Sequence, residues 1–140
     1  MIKKVDFVGA SMRDVYLLGM EAATTLDGLR VLLAVVLDNS FELATRVHLA
    51  GLFPHTAPQE LQEKFIEALI RSEEAGMVWL GVRQVARTGL VRYMDDVEAH
   101  VLDATRLAWT DDTTLGDLAG QALDILKAGK GVPEFGSDLA

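Results

Sequence analysis

The sequence predicts an α/β fold: a Rossmann-like parallel sheet with helices on both faces, in one layered domain. Three observations predict it. Residues 2–40 read as strand, small-residue turn, helix, turn and second apolar run. That second run has seven consecutive apolar side chains at 31–37, three of them valine, which suits a strand covered on both faces. Apolar runs and helical stripes then keep alternating, the pattern of a helix-covered parallel sheet.

The elements follow in order. Ile2, Val5, Phe7 and Val8 form a short run of β-formers closed by Gly9-Ala10-Ser11, small residues that permit a sharp turn and close ligand approach. Val15, Leu18, Ala22 and Leu26 are spaced 3, 4 and 4, one face of a helix. Asp27-Gly28 reads as its stop, and residues 29–37 as the second strand, although a buried helix would look similar. Asn39 or Ser40 can cap a helix over 41–52, stopped by Gly51 and Pro54. A third helix runs from Thr56 or Pro58 to about Ala75, with Leu61, Phe65 and Leu69 inside. Its Glu60–Lys64 and Glu67–Arg71 pairs are in the favourable order.

Residues 77–82 read as a third strand. Residues 83–94 are ambiguous, a helix interrupted at Gly89 and followed by a short strand at 90–94 being one reading. Residues 97–105 suit either strand or helix. Asp111-Asp112-Thr113-Thr114 caps a last helix over 115–128, and Lys127 and Lys130 suit its negative end. Residues 1–130 form the predicted domain, and 131–140 a Gly- and Pro-containing tail. An all-helical alternative needs residues 29–37 helical and 61–93 as one long helix, against the cost of three glycines.

Composition narrows the function. The chain has 140 residues, half of them apolar, enough for a core. Net charge is −8 from 13 basic and 21 acidic residues. That disfavours nucleic-acid partners, which need a basic stripe, and anionic membrane faces. The absence of cysteine excludes disulfides, thiolate zinc sites and cysteine nucleophiles. Met1-Ile2-Lys3-Lys4 is not followed by a secretory apolar core and no run is long enough to span a membrane, so a cytoplasmic location is expected.

KKVDFVGAS at 3–11, LAVVLDNSFELATRVHLAGLFPHT at 33–56, HVLDAT at 100–105 and LAGQALDILKAGKGV at 118–132 occur in an order that resembles one known arrangement. It is the nucleotide-binding domain of the glucose–fructose oxidoreductase, inositol dehydrogenase and homoserine dehydrogenase families. The resemblance implies NAD or NADP, with pyrophosphate on Gly9, Ala10, Ser11, Met12 and Arg13 and ribose on Asp38. Three features depart from the pattern. Ser11 and Asp14 stand where the fingerprint has glycines, Gly131-Val132-Pro133-Glu134-Phe135 stands where the family has Glu-Lys-Pro after the final helix, and the family's substrate domain has no counterpart. The implied function is therefore cofactor binding without a complete catalytic apparatus, with enzymatic activity left open. Val8-Gly9-Ala10-Ser11 and Val78-Trp79-Leu80 are also similar to small CoA-binding proteins, which implies CoA as an alternative, with Arg13 meeting phosphate. A third expectation, from another class, is a structural or interaction protein that forms homo-oligomers and takes no small ligand.

Other clusters are weaker candidates. Asp96, His100 and Asp103 would share one face of a helix and could bind a divalent metal. Arg83, Arg87 and Arg92 form a local basic cluster for an anion or an acidic partner. His48 and His55 have no serine–acid arrangement beside them. Trp79 and Trp109 read as core or interface anchors.

Overall fold

The computed structural model describes residues 1–107 and 113–137. Trp109 and Asp111-Asp112 lie outside the described residues, as do the last three residues of the predicted tail. The described chain is all-helical: α1 (Met12–Ala22), α2 (Leu26–Val36), α3 (Leu43–Gly51), α4 (Gln59–Ile70), α5 (Ala75–Thr88), α6 (Met94–Glu98) and α7 (Leu115–Lys127). Short 3₁₀ turns stand at Lys4–Phe7 and Val91–Tyr93. No described helix is long and apolar enough to cross a membrane.

The Rossmann-like parallel sheet is thus corrected, and every predicted strand has another fate. The first strand is the Lys4–Phe7 turn, residues 29–36 are helical within α2, and 77–82 lie in the middle of α5. Residues 90–94 are a 3₁₀ turn and the start of α6. Strand-like pairing among the described residues is confined to one isolated bridge, Arg106 with Thr114. The helical alternative holds over 29–36, but its single helix over 61–93 is broken between Ile70 and Ala75.

The chain divides into two compact units, Met1–Phe65 and Ile66–Ala140, with the boundary inside α4. In the first, α2 packs on α1, on α3 and on the 3₁₀ turn. Thr25 starts α2 by accepting a hydrogen bond from the Gly28 N–H at 3.0 Å, so Asp27-Gly28 opens this helix instead of closing the one before. Leu29, Leu32, Leu33, Val35 and Val36 are buried, while Asp27, Arg30, Ala34 and Leu37 form a narrow exposed stripe. That stripe recurs at 3, 4 and 3 residues, the helical period. A side chain at Gly28 would collide with the Ala22 carbonyl, which fixes glycine at the α1–α2 corner. Phe53 stacks on Phe65 at 4.3 Å, and buried Gln62 donates to the Pro54 carbonyl at 2.8 Å.

In the second unit, α5 is buried at every position from Met77 to Ala86 and packs on α7, which also carries α6. Thr114 caps α7 in a reciprocal box with Asp117, as a Thr-x-x-Asp start allows. Gly89 ends α5 at φ +71°, a left-handed cap that favours glycine. The segment after α7 lies along α5. The Val132 N–H donates to the Ala86 carbonyl at 2.9 Å, and Arg87 Nε to the Phe135 carbonyl at 2.8 Å. Phe135 meets Trp79 edge-on at 5.8 Å.

Two glycine substitutions test this packing with opposite signs. Gly28→Ala must displace backbone and is expected to cost about 2 kcal/mol, typical of overpacking. Gly120 on α7 has open space around it, so Gly120→Ala should stabilise by up to about 1 kcal/mol through helix propensity. Urea unfolding followed by circular dichroism measures both.

Candidate functional site

Four of the six residues predicted to hold a cofactor lie around one cleft, on helices and turns. An open cleft of about 730 Å³ in the first unit is lined by Gly9, Ala10, Met12 and Asp38. Its apolar wall comes from Val5, Phe7, Val8 and Phe41, and its polar side from Lys4, Ser40, Glu42 and Thr45. Ser11 and Arg13 do not line it; both are exposed at the start of α1.

Local chemistry explains how these positions are used. Gly9 adopts φ +69° and leaves the 3₁₀ turn toward α1, a conformation that favours glycine. Ser11 Oγ accepts from the Asp14 N–H at 3.2 Å. The small polar residue read as part of a phosphate cradle is therefore the helix cap, and its oxygen occupies the place where an anion would bind. The β-α-β scaffold on which the dinucleotide expectation rested is absent among the described residues.

Asp38 closes one end of the cleft. It pairs with Lys4 and accepts from the Ser40 N–H at 2.9 Å. These bonds to Lys4 and Ser40 hold its carboxyl well below the usual carboxylate range. Asp38 and Lys4 therefore neutralise each other at the rim.

The start of α3 also borders the cleft, through Glu42 and Thr45. Glu42 is its N-cap residue and makes no side-chain capping bond. The first N–H of α3 with a helical acceptor is that of Arg46, which donates to the Glu42 carbonyl. The N–H groups of Leu43, Ala44 and Thr45 thus have no acceptor within the helix. Thr45 is 9% exposed and lines the cleft. Sequence reasoning passed over Thr45 because it lies inside a helical stripe. The absence of Ser, Thr, Asp or Asn at residue 42 was the available signal.

The remaining candidates are dispersed. Asp96 faces Arg71 at 3.8 Å, His100 Nε2 lies 3.1 Å from the Ile70 carbonyl, and Asp103 accepts from the Thr105 N–H at 2.8 Å. No metal-binding group of acids and histidines forms among the described residues. Arg83 is buried, and burial lowers its pKa to about 10. Arg87 is bound to the Phe135 carbonyl, and Arg92 sits over the Tyr93 ring at 5.2 Å. The three arginines therefore form no common anion site. His48 lies beneath Tyr16, their rings 5.3 Å apart, and His55 is exposed in its loop.

No family model matches this chain, and no curated protein or solved structure matches it.

The Asp38 ion pair predicts a pH window. Its folded carboxyl is held below its ordinary value, so its contribution is present above the ordinary carboxylate range and is lost as pH falls through the folded value. Asp38→Asn should therefore be less stable than the native chain near neutral pH, with the gap closing below the ordinary carboxylate range. Urea midpoints for both proteins from pH 7 to pH 2 give the comparison, and added salt should narrow the gap.

Proposed function

We propose that this protein is a non-enzymatic interaction protein that assembles with a second copy of itself through α1. The observation that carries this reading is the outward face of α1. Val15, Gly19 and Ala22 are buried, yet Met12, Tyr16, Leu17 and Met20 are exposed, Leu17 by 52%. Val5 and Val8 extend the apolar surface ahead of the helix. Met12, Tyr16 and Met20 are spaced four apart and so lie in one row, and contiguous exposed apolar surface marks association sites.

The occupant is suggested by the order of residues along the helix. Arg13, Leu17 and Glu21 are spaced four apart, so they form one row. A two-fold axis near Leu17 sets Arg13 of one copy against Glu21 of the other. The neighbouring row Met12, Tyr16 and Met20 then meets its own reverse around Tyr16. Such a self-complementary patch is what an isologous dimer requires, and the charge pairs fix its register. With a net charge of −8, copies repel at long range, so short-range apolar and paired contacts must supply the attraction.

Sedimentation velocity tests this. The native chain is expected to show a concentration-dependent dimer. Leu17→Glu should weaken it at least tenfold, since a charge would be buried without a partner. Arg13→Glu should weaken it too, and Arg13→Glu with Glu21→Arg should restore it. A native chain that stays monomeric up to its solubility limit overturns the reading, as does a charge swap that fails to rescue. All these positions are exposed, so circular dichroism should show unchanged helix.

A further inference from the structure

We propose that Met12 and Met20 form a paired oxidation site. A peroxide converts both thioethers to sulfoxides on the separated chain, and the oxidised face of α1 no longer pairs with a second copy. The site rests on the pairing of α1 proposed above and adds the chemistry that controls it.

The chain has five methionines and no cysteine, so every sulfur that can meet an oxidant is a thioether. Their surroundings differ. Met77 is buried within α5, and Met94 is half-buried at the start of α6. Met12 and Met20 are each 47% exposed. They lie on one row of α1 with Tyr16 between them. Met1 is exposed as well, but stands outside any helix. Oxygen transfer needs contact between sulfur and peroxide, so exposure decides which thioethers react. Of the exposed ones, Met12 and Met20 are those on the face that pairs.

In the reaction a sulfur lone pair attacks one oxygen of hydrogen peroxide. The S–O bond forms as the O–O bond breaks, and the other oxygen leaves as water after proton transfer. The sulfur loses two electrons and the peroxide gains them. A flexible apolar side chain becomes a polar one. Around a two-fold axis near Tyr16, Met12 of one copy faces Met20 of the other, so oxidation of both sets four sulfoxides into one contact. The row offers one donor per copy, the Tyr16 hydroxyl, against two new acceptors. Pairing would then bury sulfoxide oxygens without partners, which is unfavourable. Because pairing covers both sulfurs, oxidation proceeds through separated copies and keeps them apart.

Sedimentation velocity before and after hydrogen peroxide, with peptide mass mapping of the sulfoxides, tests this. Oxidation of Met12 and Met20 should weaken the dimer about tenfold or more, the usual scale for burying unpartnered polar groups. Circular dichroism should show unchanged helix. Met12→Leu with Met20→Leu should dimerise like the native chain, since leucine replaces methionine at little cost, and should keep its dimer after peroxide. Met12→Gln with Met20→Gln should weaken the dimer without any oxidant, which decides the matter even where peroxide also unfolds the chain. Oxidation of Met12 and Met20 should slow as protein concentration rises, while that of Met1 should not. A dimer that survives sulfoxides at both positions, or a Gln double variant that pairs as tightly as the native chain, overturns the proposal and leaves the pairing standing. So does a Leu double variant whose dimer peroxide still breaks. An untreated chain that stays monomeric overturns the pairing and this site with it.

Discussion

Each unit depends on the burial of one helix on nearly every side. In the first it is α2, which leaves one thin exposed stripe. In the second it is α5, buried without interruption from Met77 to Ala86. Burying a valine or leucine side chain contributes roughly 1.5–3 kcal/mol, whereas a valine in a helix costs only about 0.5 kcal/mol relative to alanine. Val31, Val35 and Val36 therefore carry little weight against helix once neighbours cover them. The surrounding elements are placed by what α2 and α5 need: α1, α3 and the Lys4–Phe7 turn around α2, and α7 with the 132–137 segment along α5.

The same burial explains which parts of the fold were legible. The amphipathic helices α1, α3, α4 and α7 could be read from their stripes, with ends displaced by a few residues, because one polar face records the 3.6-residue period. The two central helices could not, because a helix covered all round loses that period and resembles a buried strand. Length did not arbitrate, since Gly28 and Gly76 read as stops and Gly81 fell inside the run read as a strand. In the structure Gly28 and Gly81 stand where neighbouring backbone passes too close for a side chain. Thr25, three residues before Gly28, was the legible correction: a Thr cap at the start of a helix of buried aliphatics.

The candidate site was legible in place and not in kind. Gly9, Ala10, Met12 and Asp38 do meet at one cleft, because the turn after Phe7 and the corner after α2 are both small-residue or acidic breaks beside the same helices. Their chemistry differs from the expectation, since Ser11 spends its oxygen on Asp14 and Asp38 spends its charge on Lys4. What remains unspent is the start of α3, where the sequence supplies Glu42 in place of a capping residue.

The cleft and the outer face of α1 share residues in the first unit. A helix face offers apolar area over several turns, which suits another protein surface. Met12 belongs to both, lining the cleft and opening the Met12–Tyr16–Met20 row. Its exposed, flexible thioether can turn toward either one. Val5 and Val8 are shared in the same way, lining the cleft and extending the apolar surface ahead of α1, so whatever covers one feature changes the apolar area of the other.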